Sequence, residues 1–286
     1  MSARPGASPP RSTTASDGVR LRFTLHPGGR AAPVLLAAGT GYGGATWPQE
    51  VIEALRVDRP VVTYDHRGTG GSGSSEGPYS TRLFAADAAA IIEAVDLGPV
   101  HLLGHSMGGR LAQWVALDRP DLVASLILAA SGSGRASSGT AGTRGVPYHT
   151  ALGLARDGYR AYIRAQIAST FFTPDYGAEH PDRLGWLLDA FWRSRPDLAD
   201  YLKHVVARQA HDTGDSIGLI GVPTLVVVGD RDTHRGGTGN HWDQSRSLAE
   251  EIPDAEFRPV EGVAHGLFWQ WPERTLKVVR EWLPGR

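Results

Sequence analysis

Residues 100–109 read Val-His-Leu-Leu-Gly-His-Ser-Met-Gly-Gly, a short apolar run that ends in Gly-x-Ser-x-Gly. The pattern predicts a strand over Val100–Leu103, a sharp turn with Ser106 at its apex, and a helix from Gly108 to Leu117. Gly104 and Gly108 flank the turn because side chains there would collide across it. A turn of this kind lifts the serine hydroxyl clear of the sheet. It also aims the helix N-terminus, with its unpaired backbone N–H groups, at whatever the serine attacks.

On either side of this stretch the chain alternates strand and helix. Val19–Leu25 alternates apolar and polar residues, as a half-buried strand does, and Val34–Ala38 reads as a buried strand followed by the Gly-rich loop Gly39–Gly44. Trp47–Leu55 is helix-like, Pro60–Tyr64 a buried strand, Ser80–Val95 a helix and Ser125–Ala130 a strand. The rhythm breaks at the Gly/Ser/Arg-rich Ser131–Gly145, and Leu152–Ala210 is helical. It resumes with a strand at Pro223–Val228, a helix near Ser245–Glu251, a strand near Glu256–Pro259 and a helix over Glu273–Trp282. Strands joined through helices imply crossovers and a mostly parallel sheet. The expected layout is a leader over 1–17, read as disordered, core segments at 18–132 and 216–286, and a helical lid inserted over 133–215.

Composition narrows the class. The chain has 286 residues, 41% hydrophobic and 21% charged, with a formal net charge of -1. These values suit a soluble globular protein and give no basic stripe for nucleic acid. No apolar run approaches the ~20 residues that span a bilayer, and the N-terminus lacks the apolar core of a signal peptide. The chain has no cysteine, which excludes disulfides, thiolate catalysis and cysteine-ligated zinc. The expected partner is a small molecule, without nucleic acid or membrane, for a monomer or homodimer in the cytoplasm.

Serine is a weak nucleophile at neutral pH and needs a base, which in turn needs a partner that fixes its tautomer. Both are available downstream in the order Ser…Asp…His. Leu225-Val-Val-Val-Gly-Asp-Arg-Asp232 offers Asp230 and Asp232 just past a late strand, and Gly262-Val-Ala-His-Gly266 offers His265. With these residues the chain resembles the α/β-hydrolase fold superfamily over about residues 18–284. The resemblance makes Asp232 the acid, with Asp230 in reserve. It also implies that the backbone N–H groups of Met107 and Thr40 form the oxyanion hole. The chain has Ala38-Gly39 where that family commonly has His-Gly, so a different anchoring of the loop is expected. Asp65-x-Arg67-Gly68-x-Gly70-x-Ser72 matches a further family motif and reads as a structural turn.

Gly41, His105, Trp186, Trp192 and Trp269 are candidates for lining the substrate pocket, Arg110 reads as a helix-surface residue, and the other insertion aromatics read as lid core. His211 with Asp212, His234 and His241 match no compact metal-ligand spacing, so no metal and no cofactor are expected. The reaction implied by the resemblance is hydrolysis of a carboxylic ester or lactone. Ser-Met-Gly-Gly-Arg-Leu-Ala-Gln-Trp114 is similar to enol-lactonases. Tyr64-Asp-His-Arg-Gly-Thr-Gly70, with Tyr159-x-x-Tyr162 and Phe172-x-Pro174, is similar to aminoacrylate hydrolases acting at a C–N centre. Thioesterase and C–C hydrolase chemistry share the same triad, and a receptor or non-hydrolytic catalyst using the pocket is the alternative from another class.

Overall fold

The computed structural model describes residues 8–134, 146–233 and 240–283. The strands are β1 (Arg11–Thr14), β2 (Arg20–His26), β3 (Val34–Ala37), β4 (Val61–Tyr64), β5 (Val100–His105), β6 (Val123–Ala129), β7 (Thr224–Gly229) and β8 (Glu256–Val260). They form one sheet in the order β1-β2-β4-β3-β5-β6-β7-β8. β1 and β2 pair antiparallel, and all pairings from β4 to β8 are parallel. The central strands are buried along their whole length, as expected of a sheet covered on both faces.

Alternating side chains feed two cores. Val34, Leu36, Leu103, Ile127 and Val227 face one layer, which includes α1 (Gln49–Arg56) and α11 (Pro272–Trp282). Leu35, Ala37, Leu102, Leu126 and Val226 face the other, with α2 (Thr81–Val95), α3 (Met107–Asp118) and α9 (His241–Glu251). Among the described residues, five α-helices lie between β6 and β7: α4 (Val146–Asp157), α5 (Tyr159–Thr170), α6 (Pro174–Glu179), α7 (Pro181–Ser194) and α8 (Leu198–Gln209). They join the first core through Ile163, Ile167, Leu187, Phe191 and Val205. Among the described residues no helix is long and apolar enough to cross a membrane.

Part of the segment 1–17 that the sequence reads as a disordered leader is structured. Residues 1–7 lie outside the described residues, but Arg11–Thr14 adds an edge strand to β2, and Asp17 reaches Arg67 at 2.7 Å. The sequence Arg-Ser-Thr-Thr has no apolar alternation because this strand is held by backbone hydrogen bonds and stays largely exposed.

Arg67 and Asp65 secure the turn after β4. Asp65 accepts the Gly44 and Gly71 N–H groups at 2.9 Å each. The Arg67 guanidinium is fully enclosed and makes a two-point contact with Asp87, through Nε at 2.7 Å and Nη2 at 2.6 Å. Removing Asp87 leaves the buried guanidinium with the partly exposed Asp17 as its remaining carboxylate. Asp87→Ala is therefore expected to lower the unfolding free energy by about 3 kcal/mol. Denaturant titration checks this, and an unchanged midpoint would refute it.

Candidate active site

Ser106 sits between β5 and α3 at φ 56°, ψ −115°, in the left-handed region that an L residue adopts only under constraint. A Cβ on Gly104 would overlap the Gly108 carbonyl, and one on Gly108 would overlap that of Ala37. The turn therefore closes only with glycine at both places. The Ser106 N–H donates to the Ala129 carbonyl at 2.8 Å, and Ser131 Oγ donates to the Ser106 carbonyl at 2.9 Å. Met107 opens α3, where a backbone N–H has no partner within the helix.

β7 and the loop after β8 bring the acid and the imidazole together. His265 Nδ1 lies 2.8 Å from Asp232 Oδ2. A carboxylate only accepts, so Nδ1 carries the proton and Nε2 keeps its lone pair. Asp232 is 1% exposed. Burial works to raise its pKa, but the His265 and His241 imidazoles outweigh it and hold the carboxyl well below the usual carboxylate range. Asp230 is elsewhere: its Oδ1 accepts the Gly262 N–H at 2.7 Å, and its side chain is partly exposed.

The Gly-rich loop has its own anchors. The His66 Nε2 donates to the Ala38 carbonyl at 2.9 Å. The Gly41 N–H donates to His204 Nδ1 at 3.3 Å, and His204 Nε2 donates to the Arg67 carbonyl at 2.9 Å. The Gly41 amide is thus taken up, and its Cα packs on the Tyr201 ring. Thr40 is buried to the same extent as Ser106, each residue 9% exposed. His66 and His204 anchor the loop that here opens with Ala38-Gly39.

The candidate pocket residues have varied placements. His105 and Trp269 are buried supports: His105 Nε2 donates to the His265 carbonyl at 2.9 Å, and Trp269 Nε1 to the Thr46 carbonyl at 2.8 Å. Trp192 is half-buried, packed edge-on against Tyr159 and Phe191 and flanked by the Arg160 and Arg195 guanidinium groups. Trp186 is half-buried in the insertion. Arg110 is not on the surface; it is 2% exposed, and its Nη1 donates to the Arg208 carbonyl. His211 bonds Thr81 and Gln113, away from Asp212, whose carboxylate caps Gly214. His234 lies outside the described residues. The residue that sequence reasoning missed is His241. Its Nδ1 stands 3.4 Å from Asp232 Oδ1, and its ring centroid is 4.3 Å from that of His265. Nothing in the local pattern of the α9 N-terminus marks it.

The pattern of the α/β-hydrolase fold matches residues 32–272. The chain belongs to the α/β-hydrolase fold family. Proteins named "Putative carbamate hydrolase RutD" are similar to it. That of Variovorax paradoxus is 31% identical over 86% of this chain and 90% of its own, and that of Azorhizobium caulinodans 32% identical over 86% and 88%. The enol-lactonase of Burkholderia xenovorans superposes with a TM-score of 0.82, covering 96% of this chain and 99% of its own at 23% identity, which is likeness of fold. In this α/β-hydrolase the serine, acid and imidazole lie on three separate loops at the C-terminal ends of β5, β7 and β8.

Burial keeps the supporting histidines neutral. It pulls His66 down to about 4, and pulls His105 and His204 down to about 3 with help from neighbouring imidazoles. Unfolded, each has a pKa of about 6.5. Between these values the unfolded chain binds protons that the folded chain refuses. Their stabilisation is full above pH ~6.5 and is lost as the pH falls toward 4, at about 1.4 kcal/mol per pH unit for each. Guanidinium unfolding at pH 7, 6 and 5 should show this decline, made shallower by His204→Leu. A flat profile would contradict it.

Proposed function

We propose that this α/β-hydrolase is a serine hydrolase that opens a carboxylic ester or lactone of a small molecule through an acyl-enzyme on Ser106. The observation that carries this reading is the 2.8 Å contact of His265 Nδ1 with the buried Asp232, behind a serine held in a left-handed turn at a helix N-terminus. The contact leaves the lone pair on His265 Nε2. His265 takes the Ser106 proton as Oγ attacks the carbonyl carbon. Negative charge then develops on the carbonyl oxygen, which accepts from the Met107 and Thr40 N–H groups. Collapse of the tetrahedral centre breaks the C–O bond, and the imidazolium returns its proton to the leaving alkoxide. A water deprotonated by His265 attacks the acyl-enzyme, the acid departs, and Ser106 regains its proton. The ionised Asp232 stabilises the imidazolium in both halves. The inserted helices act as the lid of the pocket and select the substrate.

A second reading has its own support. The names of the relatives point to a carbamate, in which the same attack would release an amine across a C–N bond. The triad chemistry is common to both, and a screen of matched esters, lactones and N-substituted carbamates separates them.

A fluorophosphonate is expected to label Ser106 in the folded protein. Ser106→Ala and His265→Ala should abolish labelling and remove nearly all turnover while the protein stays folded. Asp232→Asn should lower kcat by about 10³–10⁴-fold through the wrong imidazole tautomer, and Asp230→Asn far less. Folded protein that resists labelling would sink the serine-hydrolase reading. A larger loss in Asp230→Asn would move the acid.

A further inference from the structure

Near the site Arg67 and Arg110 are buried and Arg208 is half-buried, and the three are treated differently. Arg67 is matched by Asp87 and Asp17. Arg110 and Arg208 are matched by no carboxylate among the described residues. Arg110, in the first turn of α3 and one turn beyond Ser106, donates to the Arg208 carbonyl and to Gln244 Oε1 at 3.3 Å. Arg208, in the last turn of α8, donates through Nη1 to Thr40 Oγ1 at 3.5 Å, and its remaining nitrogens lie within 3.2 Å of the Gln209 side-chain amide. Every partner is neutral. Burial lowers the pKa of both, and each guanidinium stays cationic at neutral pH.

A buried cation with a half-buried one beside it opposes folding. A cation at the C-terminal end of α8 gains a little from the helix dipole, but less than desolvation costs. Their placement has a direction. Arg110 clamps the backbone of Arg208 onto the helix that Ser106 opens, and the Arg208 guanidinium is turned to the loop residue whose N–H faces the reacting carbonyl. His265 and His241 add no compensating negative charge. Asp232 is already bound to His265. The half-buried Arg208 fork is thus left to an anion from outside the chain.

We propose that the substrate carries a carboxylate near its scissile carbonyl, held by Arg208 with Arg110 behind it as a positioning residue. This rests on the serine-hydrolase reading for the chemistry, but the anion subsite can be tested without turnover. Arg presents paired donors in a plane that suits both oxygens of a carboxylate. The Arg208 fork lies beside Thr40, so the acid group would sit on the α8 side of the oxyanion loop, within one small molecule's length of Ser106.

The probes are monomethyl succinate and its uncharged counterpart dimethyl succinate. Binding to the full-length Ser106→Ala protein is measured by calorimetry, with fluorophosphonate labelling of wild type run in parallel. The monoanion is expected to bind at least ten-fold more tightly than the diester. Arg208→Gln should erase that preference, and Arg208→Lys should restore part of it. In wild type the same ratio should be read in kcat/KM, mostly through KM. If Arg208→Gln unfolds, the wild-type preference and the Arg208→Lys value still decide. Equal binding of the two probes overturns the anion subsite even when Ser106 is labelled. Tighter binding of the anion without labelling keeps the subsite and sinks the acyl-enzyme reading. A preference that survives in Arg208→Gln removes Arg208 from the role.

Discussion

The backbone of Ser106 is held where an unconstrained serine would not stay, and the site depends on that one residue. Such a conformation costs of order 1–3 kcal/mol and persists only where its surroundings over-determine it. Here the N–H is tied to Ala129 on β6, and the carbonyl to Ser131, whose own carbonyl accepts from Ser245 on α9. Gly108 lets α3 approach the Ala37 carbonyl at the end of β3. Three parallel strands and two helices therefore meet at one turn. The position of Ser106 is a consequence of how the sheet is packed, and loosening any of these contacts would move the serine relative to the loop that carries Thr40.

The insertion belongs to the same framework. The His265 and Gly266 N–H groups donate to the Thr170 and Phe171 carbonyls at the end of α5, at 3.1 and 3.0 Å. The Gly70 N–H donates to the Ser194 carbonyl at the end of α7, and His204 of α8 takes the Gly41 N–H. Three insertion helices thus hold the His265 loop, the turn after β4 and the Gly39–Gly44 loop. Moving the insertion away as a rigid body would break these backbone hydrogen bonds.

Much of this was legible in the sequence because it is local. Runs such as Val34–Ala37 and Leu225–Val228 have the continuous apolar character of strands covered on both faces, and Gly-x-Ser-x-Gly states its own turn. Asp232 and His265 were legible through order along the chain and resemblance to a family. What escaped depends on distant partners. Arg11–Thr14 has no hydrophobic signal, because backbone pairing with β2 makes it a strand. Arg110 looks like any charged helix residue until α8 closes over it. His204 and His241 lie 163 and 9 residues from the groups they touch in Gly41 and Asp232, and no spacing rule joins them. Trp192 and Trp269 were right to be noticed as large aromatics, but which way a ring points is decided by packing.

Burial treats the two kinds of base at this site in opposite ways. Histidine can release its proton, so enclosing His66, His105 and His204 turns them into neutral donors and acceptors that fix loops without adding charge. Arginine cannot, so burying Arg110, with the half-buried Arg208 beside it, leaves positive charge one helical turn from Ser106. A formal net charge of -1 for the whole chain conceals this separation. The neutral histidines add no charge that would cancel the field of the arginines. That field acts on any negative charge that develops at the carbonyl oxygen as well as on one the substrate already bears. Preorganised charge of this kind costs stability in the folded protein and yields its return only when an anion forms or binds.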